Sequence, residues 1–146
     1  MFFTQQFQVD IPYKSLADVE AAYEFQDLQS FLDIYYAGAS VLITESDFYD
    51  LMFAYLQRCK AQNIVHAEIM FDPQTHLERG ITFDTMFAGY WRALEQARTE
   101  WGQSTSLIMC FLRHLSEESA FDVLELAEPY REQILCVGLD SSELGH

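Results

Sequence analysis

The sequence predicts an α/β fold, a parallel sheet covered by helices and forming part of a (β/α)8 barrel. Two observations carry this prediction. Three short, near-continuous apolar runs, in "NIVHAEIMF", "TSLIMCFL" and "QILCVGLD", are separated by amphipathic stretches, whereas strands with one wet face would alternate apolar and polar residues. No run leads into a G-x-G-x-x-G fingerprint, so the barrel is favoured over a dinucleotide-binding sheet, the other fold that the strand and helix period suits. No linker, low-complexity tract or internal repeat divides residues 1–146, which read as a single incomplete barrel segment.

The elements follow in order. After the extended "VDIPYKS", a short helix is expected over residues 16–25, and a second from Asp27 with Leu28, Phe31, Leu32 and Tyr35 at i, i+3, i+4, i+7. A third helix is marked by Thr44 as N-cap, by Glu45 and Asp47 in its first turn and by Arg58 and Lys60 near its end. Phe48, Leu51, Met52, Tyr55, Leu56 and Cys59 form its apolar face. Residues 64–71 are too few for a typical helix, rich in β-formers and closed by Pro73, so they read as a strand. Thr82 caps a long helix that turns Met86, Phe87, Tyr90, Leu94 and Ala97 inward and stops at Gly102. The strand at 105–112 precedes a helix opened by Ser116, Glu117 and Glu118, with Ala120, Val123, Leu124 and Ala127 on one face, and residues 133–140 form the last strand. The unit is βαβαβ.

A formal net charge of −15, from 23 acidic against 8 basic residues, repels a phosphate backbone and excludes nucleic acid and anionic membranes as expected partners. The apolar runs fall well short of the roughly 20 residues that span a bilayer, and "MFFTQQFQVD" lacks the basic start and cleavage site of a signal peptide. A cytoplasmic location is the expectation. Cys59, Cys110 and Cys136 lack metal-type spacing and sit among apolar residues, as reduced core thiols do.

Polar residues that break the pattern collect after the three strands: Asp72, then Arg113 and His114, then Asp140, Ser141 and Glu143. That edge carries the site in parallel α/β folds. Each residue also has a structural reading. Asp72 before Pro73 starts a turn or lines a pocket, Arg113 and His114 neutralise nearby carboxylates or line that pocket, and Ser116 reads as a helix cap rather than a nucleophile. His66 and Glu68 share one strand face and read as a buried pair in preference to a ligand pair. The four histidines form no H-x-H, H-E-x-x-H or Cys/His cluster, which leaves a remodelled metal site from His76, His114 and Asp140 as a minor alternative.

"AEIMFDPQTHLERGI", "FLRHLSEESA" and "VGLDSSELGH", with "YYAGASVLITESDFYDL" and "KAQNIVHAE" upstream, resemble the adenosine and adenine deaminase family, most of all its adenine deaminase branch. The likeness runs over nearly the whole chain after about residue 11, with its motifs in family order. It implies a zinc-dependent (β/α)8 hydrolase in which a metal-bound hydroxide replaces the 6-amino group of a purine and releases ammonia. The resemblance places the three strands as the second, third and fourth of that barrel.

The family's zinc ligands come from an H-x-H on the first strand, a His on the fifth and an Asp on the eighth, and its catalytic Glu lies in H-A-G-E; neither motif occurs in this sequence. The resemblance therefore implies no catalytic residue and no metal ligand in this chain, and no tight zinc binding by it. Asp72, Arg113, His114, Asp140, Ser141 and Glu143 are expected to form the wall of a pocket for a purine base or nucleoside. The short "DSSE" departs from the glycine-containing loop of the adenosine branch and favours the free base. The expected behaviour is that of a deaminase fragment, inactive alone; the alternative is a non-catalytic module that self-associates through exposed sheet edges.

Overall fold

The computed structural model describes residues 11–143 and Gly145. Val9 and Asp10 of the expected extended segment, the rest of the first ten residues, residue 144 and His146 lie outside the described residues. The elements run α1 (Leu16–Ala22), α2 (Leu28–Ala39), α3 (Glu45–Ala61), β1 (His66–Phe71), α4 (Gln74–Leu77), α5 (Phe83–Trp101), β2 (Ser104–Leu112), α6 (Glu117–Ala127), a 3₁₀ segment (Glu128–Gln133) and β3 (Ile134–Asp140). The strands lie in the order β1-β2-β3 and both pairings are parallel.

Local chemistry accounts for the element ends. Asp27 accepts the Ser30 amide at 2.8 Å to start α2, and Thr44 and Asp47 close a capping box on α3. Thr82 accepts from the Thr85 amide and Ser116 from the Ser119 amide, each at 3.2 Å, so Ser116 is a helix cap as its sequence context suggests. Gly102 ends α5 in the left-handed region at φ 72°, where a side chain would be strained. The first helix stops at Ala22, three residues short of the expected end.

Helices α3 and α5 pack on each other and against the sheet face that carries Phe71, Leu107 and Met109. Phe48 and Leu56 from α3 and Met86 and Phe87 from α5 are essentially inaccessible there. Their close approach depends on Gly89, where a Cβ would stand 2.8 Å from that of Phe48 and closer still to the α3 backbone. Four rings, Phe71, Phe83, Phe87 and Tyr130, continue this core toward the 3₁₀ segment, with Phe87 and Tyr130 centroids 4.4 Å apart.

Several expected core positions are not buried. Leu51 and Tyr55, assigned to the α3 apolar face, are 50% and 46% exposed; they line a hollow with Ile69 and Met70 of β1 instead of being buried in the core. Leu124 is likewise exposed on α6. His66 and Glu68 do pair, Nε2 to Oε1 at 3.6 Å, but in the open: both lie on the sheet face opposite α3 and α5. Cys59 and Cys110 are buried thiols, whereas Cys136 is exposed on the edge strand β3. Strand β3 also exposes Leu135, Val137 and Leu139.

Candidate functional site

All six residues singled out after the strands lie at the C-terminal edge of the sheet, under α2. β1 delivers Asp72 at its tip, and Pro73 turns the chain into the four-residue α4. Asp72 is 6% exposed; Tyr35 of α2 donates to its Oδ2 at 3.3 Å and Thr75 donates to its Oδ1. Burial pushes its pKa up to about 6, with the Thr75 bond opposing and the neighbouring Asp140 adding to the rise. The same burial, with Asp72 close by, raises the Tyr35 hydroxyl far above its ordinary value. Asp72 is thus both a turn residue and a cavity residue.

β2 ends in Arg113 and His114. The Arg113 amide donates to the Asp140 carbonyl at 3.0 Å, extending the β2–β3 ladder, and its guanidinium stands 3.4 Å from Glu143. Glu143 is exposed, so this pair orients Arg113 without contributing much stability. Beyond β3, Asp140 borders the cavity, with its pKa raised by burial against the opposing influence of the Cys110 thiol and Arg113. Gly138 makes room for that thiol: a Cβ there would stand 2.8 Å from Cys110 Sγ. Ser141 has φ 74°, uncommon for any residue with a side chain. Its Oγ lies 2.7 Å from the Tyr36 hydroxyl and 3.2 Å from His114 Nδ1, so one serine links α2, β2 and β3. Ser142 adds a bond to Gln29 of α2 at 3.2 Å.

A cavity of about 310 Å³ opens between α2 and the strand tips, lined among others by Phe31, Tyr35, Tyr36, Met70, Asp72 and Asp140. Flat aromatic surface with a few fixed polar groups is the lining expected for a planar, hydrogen-bonding ligand. A neighbouring hollow between α3 and β1 is lined by Leu51, Tyr55, Ile69 and Met70 among others.

Sequence reasoning missed Gln29 and Tyr36 of α2, and also Gln74. Gln74 is 2% exposed; it accepts the Leu112 amide and donates to Ser119 Oγ, both at 2.7 Å, and so ties the end of β2 to the start of α6. A four-residue helix is too short to show a period that would mark it as inward. Tyr36 did carry a signal, since it stands off the Leu28, Phe31, Leu32, Tyr35 stripe yet is aromatic with a hydroxyl.

The minor metal alternative is corrected by the geometry. His76 is buried beside Phe48, its Nδ1 is 2.9 Å from Arg79 Nη2, and Arg79 also donates to the carbonyls of Ser40 and Leu42. Burial, aided by Arg79, lowers the His76 pKa to about 4, so it is a neutral acceptor in a structural junction. Among the described residues no group of three or more His, Cys, Asp or Glu is placed to hold a metal ion, so these residues do not fit zinc. No helix among them is long and apolar enough to cross a membrane.

The family model described as adenosine deaminase matches residues 2–146. The chain belongs to the adenosine deaminase family. It is 61% identical over 142 residues to an adenine deaminase of Wolinella succinogenes, covering 97% of this chain and 43% of that protein. With an adenine deaminase of Acinetobacter baylyi it shares 58% identity over 142 residues, again covering 97% of this chain and 43% of the relative. The chain therefore spans about two fifths of the length of these family members.

Among solved structures, the crystal structure of an adenine deaminase from Arthrobacter aurescens superposes with a TM-score of 0.92 at 44% identity, covering 98% of this chain and 44% of that one. An amidohydrolase from Burkholderia ambifaria, solved with bound zinc, gives a TM-score of 0.83 at 20% identity over 98% of this chain and 40% of its own, a likeness of fold. The three parallel strands and their helices are a segment of the family's (β/α)8 barrel, as the apolar runs predicted.

Proposed function

We propose that this chain is one barrel segment, strands two to four, of a purine deaminase acting on the free base adenine, and that it supplies a pocket wall and not the catalytic centre. The observation that carries the reading is the convergence of Asp72, Arg113, His114, Asp140, Ser141 and Glu143 on the edge covered by α2. Phe31, Tyr35 and Tyr36 offer ring surface to a planar base, α2 keeps water from it, and Asp140 offers an acceptor. The names of the relatives and the "DSSE" loop both favour adenine over adenosine.

Zinc and the proton-transferring Glu of the hydrolysis would come from groups that this sequence does not encode, since it contains neither H-x-H nor H-A-G-E. Incubated with adenine or adenosine and zinc, the chain releases no ammonia; clear turnover would overturn the wall assignment. Replacing the matching segment of the Wolinella succinogenes enzyme by this chain should give a folded protein that deaminates adenine in preference to adenosine. A folded but inactive chimaera would contradict the reading. A cytoplasmic setting is consistent with three free thiols.

Association is a second reading, favoured by Leu135, Val137 and Leu139 at 54–56% exposure on a strand that lies at the sheet edge among the described residues. It predicts dimers or larger species by light scattering at micromolar concentration. A stable soluble monomer would count against it.

A further inference from the structure

At the strand tips two buried polar atoms have no hydrogen-bond partner among the described residues, Arg113 Nε and Asp140 Oδ1. Only the second is an acceptor, and it belongs to a residue that borders the 310 Å³ cavity. Buried carboxylate oxygens are normally satisfied, and one left unpaired in a folded protein points to a missing donor.

The Cys110 thiol, a weak donor, hydrogen-bonds the Asp140 carboxylate, yet Oδ1 still has no partner among the described residues. Asp72, the other carboxylate on the cavity, is an acceptor whose two oxygens are already engaged by Thr75 and Tyr35. The Arg113 guanidinium stands against Glu143. The backbone of Asp140 is held in place: it is paired with Leu112 in the sheet, its carbonyl accepts the Arg113 amide, and Ser141 directly after it bonds Tyr36 and His114. The carboxylate springs from a fixed backbone position and borders an aromatic-lined cavity.

We propose that Asp140 is the specificity-determining residue of this pocket, its Oδ1 accepting the ring N–H of a free purine's five-membered ring. The proposal rests on the purine reading above and adds the basis of its choice. A free purine carries one hydrogen on its imidazole nitrogens, and a nucleoside has exchanged that hydrogen for a sugar. A 9-substituted purine would leave the carboxylate oxygen unpaired, and sites built to bond an N–H discriminate strongly against analogues that lack it. The 6-amino group is common to base and nucleoside and gives no such choice.

The test is titration of the full chain, by calorimetry or by ¹H–¹⁵N spectra, with adenine, unsubstituted purine and 9-methyladenine. Adenine and purine are expected to bind about tenfold or more tightly than 9-methyladenine. Asp140→Ala, with its spectrum otherwise preserved, should bring the three within about twofold of one another. Equal binding of adenine and 9-methyladenine to the unmodified chain overturns the proposal and leaves the purine reading standing. Loss of discrimination with purine alone also overturns it, because the 6-amino group would then be the donor that matters. Binding of none of the three overturns both readings. The comparison of ligands on the unmodified chain needs no variant to fold.

Discussion

The helix-covered face of the sheet and its C-terminal edge under α2 are held together in different ways. On the first, Phe48, Leu56, Phe87, Leu107 and Met109 exclude water and interlock, with Gly89 removing the last obstacle to contact between α3 and α5. On the second, α2 is tied to the strands by hydrogen bonds made by Tyr35 and Tyr36 and by one that Gln29 accepts from Ser142, over a cavity, a buried and a half-buried carboxylate and one serine in a strained conformation. Stability is concentrated in the first region, and the second contains groups that would be better off with different neighbours or with a ligand. Such an arrangement is expected where a site is built on a stable scaffold.

Changes in the two regions should therefore separate. Phe48→Ala empties a fully buried ring position between α3, His76 and Tyr90 and is expected to cost about 3–5 kcal/mol in urea unfolding. A loss below about 1 kcal/mol would mean that the helix-covered face is not the main source of stability.

Next in size is a pair of opposed titrations. Asp72 has its pKa raised from 3.8 to about 6, so between those values the folded chain holds a proton that the unfolded chain has lost, and stability falls as pH rises. His76 has its pKa lowered from 6.5 to about 4, so over its window the unfolded chain is protonated and the folded one is not, and stability rises with pH. Each effect is on the order of 2–3 kcal/mol and they nearly cancel between about pH 4 and 6. Asp72→Asn should unmask a rise in stability across that range, and His76→Gln a fall, in thermal melts at stepped pH. Parallel profiles for the two variants would contradict the assignment of one acidic site residue and one neutral junction residue.

Gln74→Leu removes the partners of a buried amide and of Ser119 while leaving the aromatic core intact. It is expected to cost about 2 kcal/mol. The smallest effect belongs to Tyr36→Phe: below about 1 kcal/mol globally, with faster amide exchange in α2 and unchanged exchange in α5. Equal acceleration in both helices would show that α2 is part of the core and not a cover on the edge.

The division between the regions also explains what could be read from the sequence. The core was legible because helix period and strand composition depend on burial: Met86, Phe87, Tyr90, Leu94 and Ala97 are all buried as their spacing predicted. The caps Thr44, Thr82 and Ser116 were legible because capping is local chemistry. Leu51, Tyr55 and Cys136 were misplaced because period says which residues share a face and not whether another element covers that face. At the edge, strand ends located Asp72, Arg113 and Asp140, but the links from α2 join residues 37 and 105 positions apart, and no local pattern records them. The φ of Ser141 was equally silent, since the sequence offers no Gly or Asn there to announce it.

The most direct measurement is a ¹H–¹⁵N chemical-shift map of the chain titrated with adenine. The account predicts perturbations at Asp72, Arg113, His114, Asp140 and Ser141 and along α2, with the α3–α5 interface unmoved. Shifts centred instead on the separate hollow at the start of β2, around Trp91, Arg98 and Gln103, or no saturable shifts at all, would contradict it.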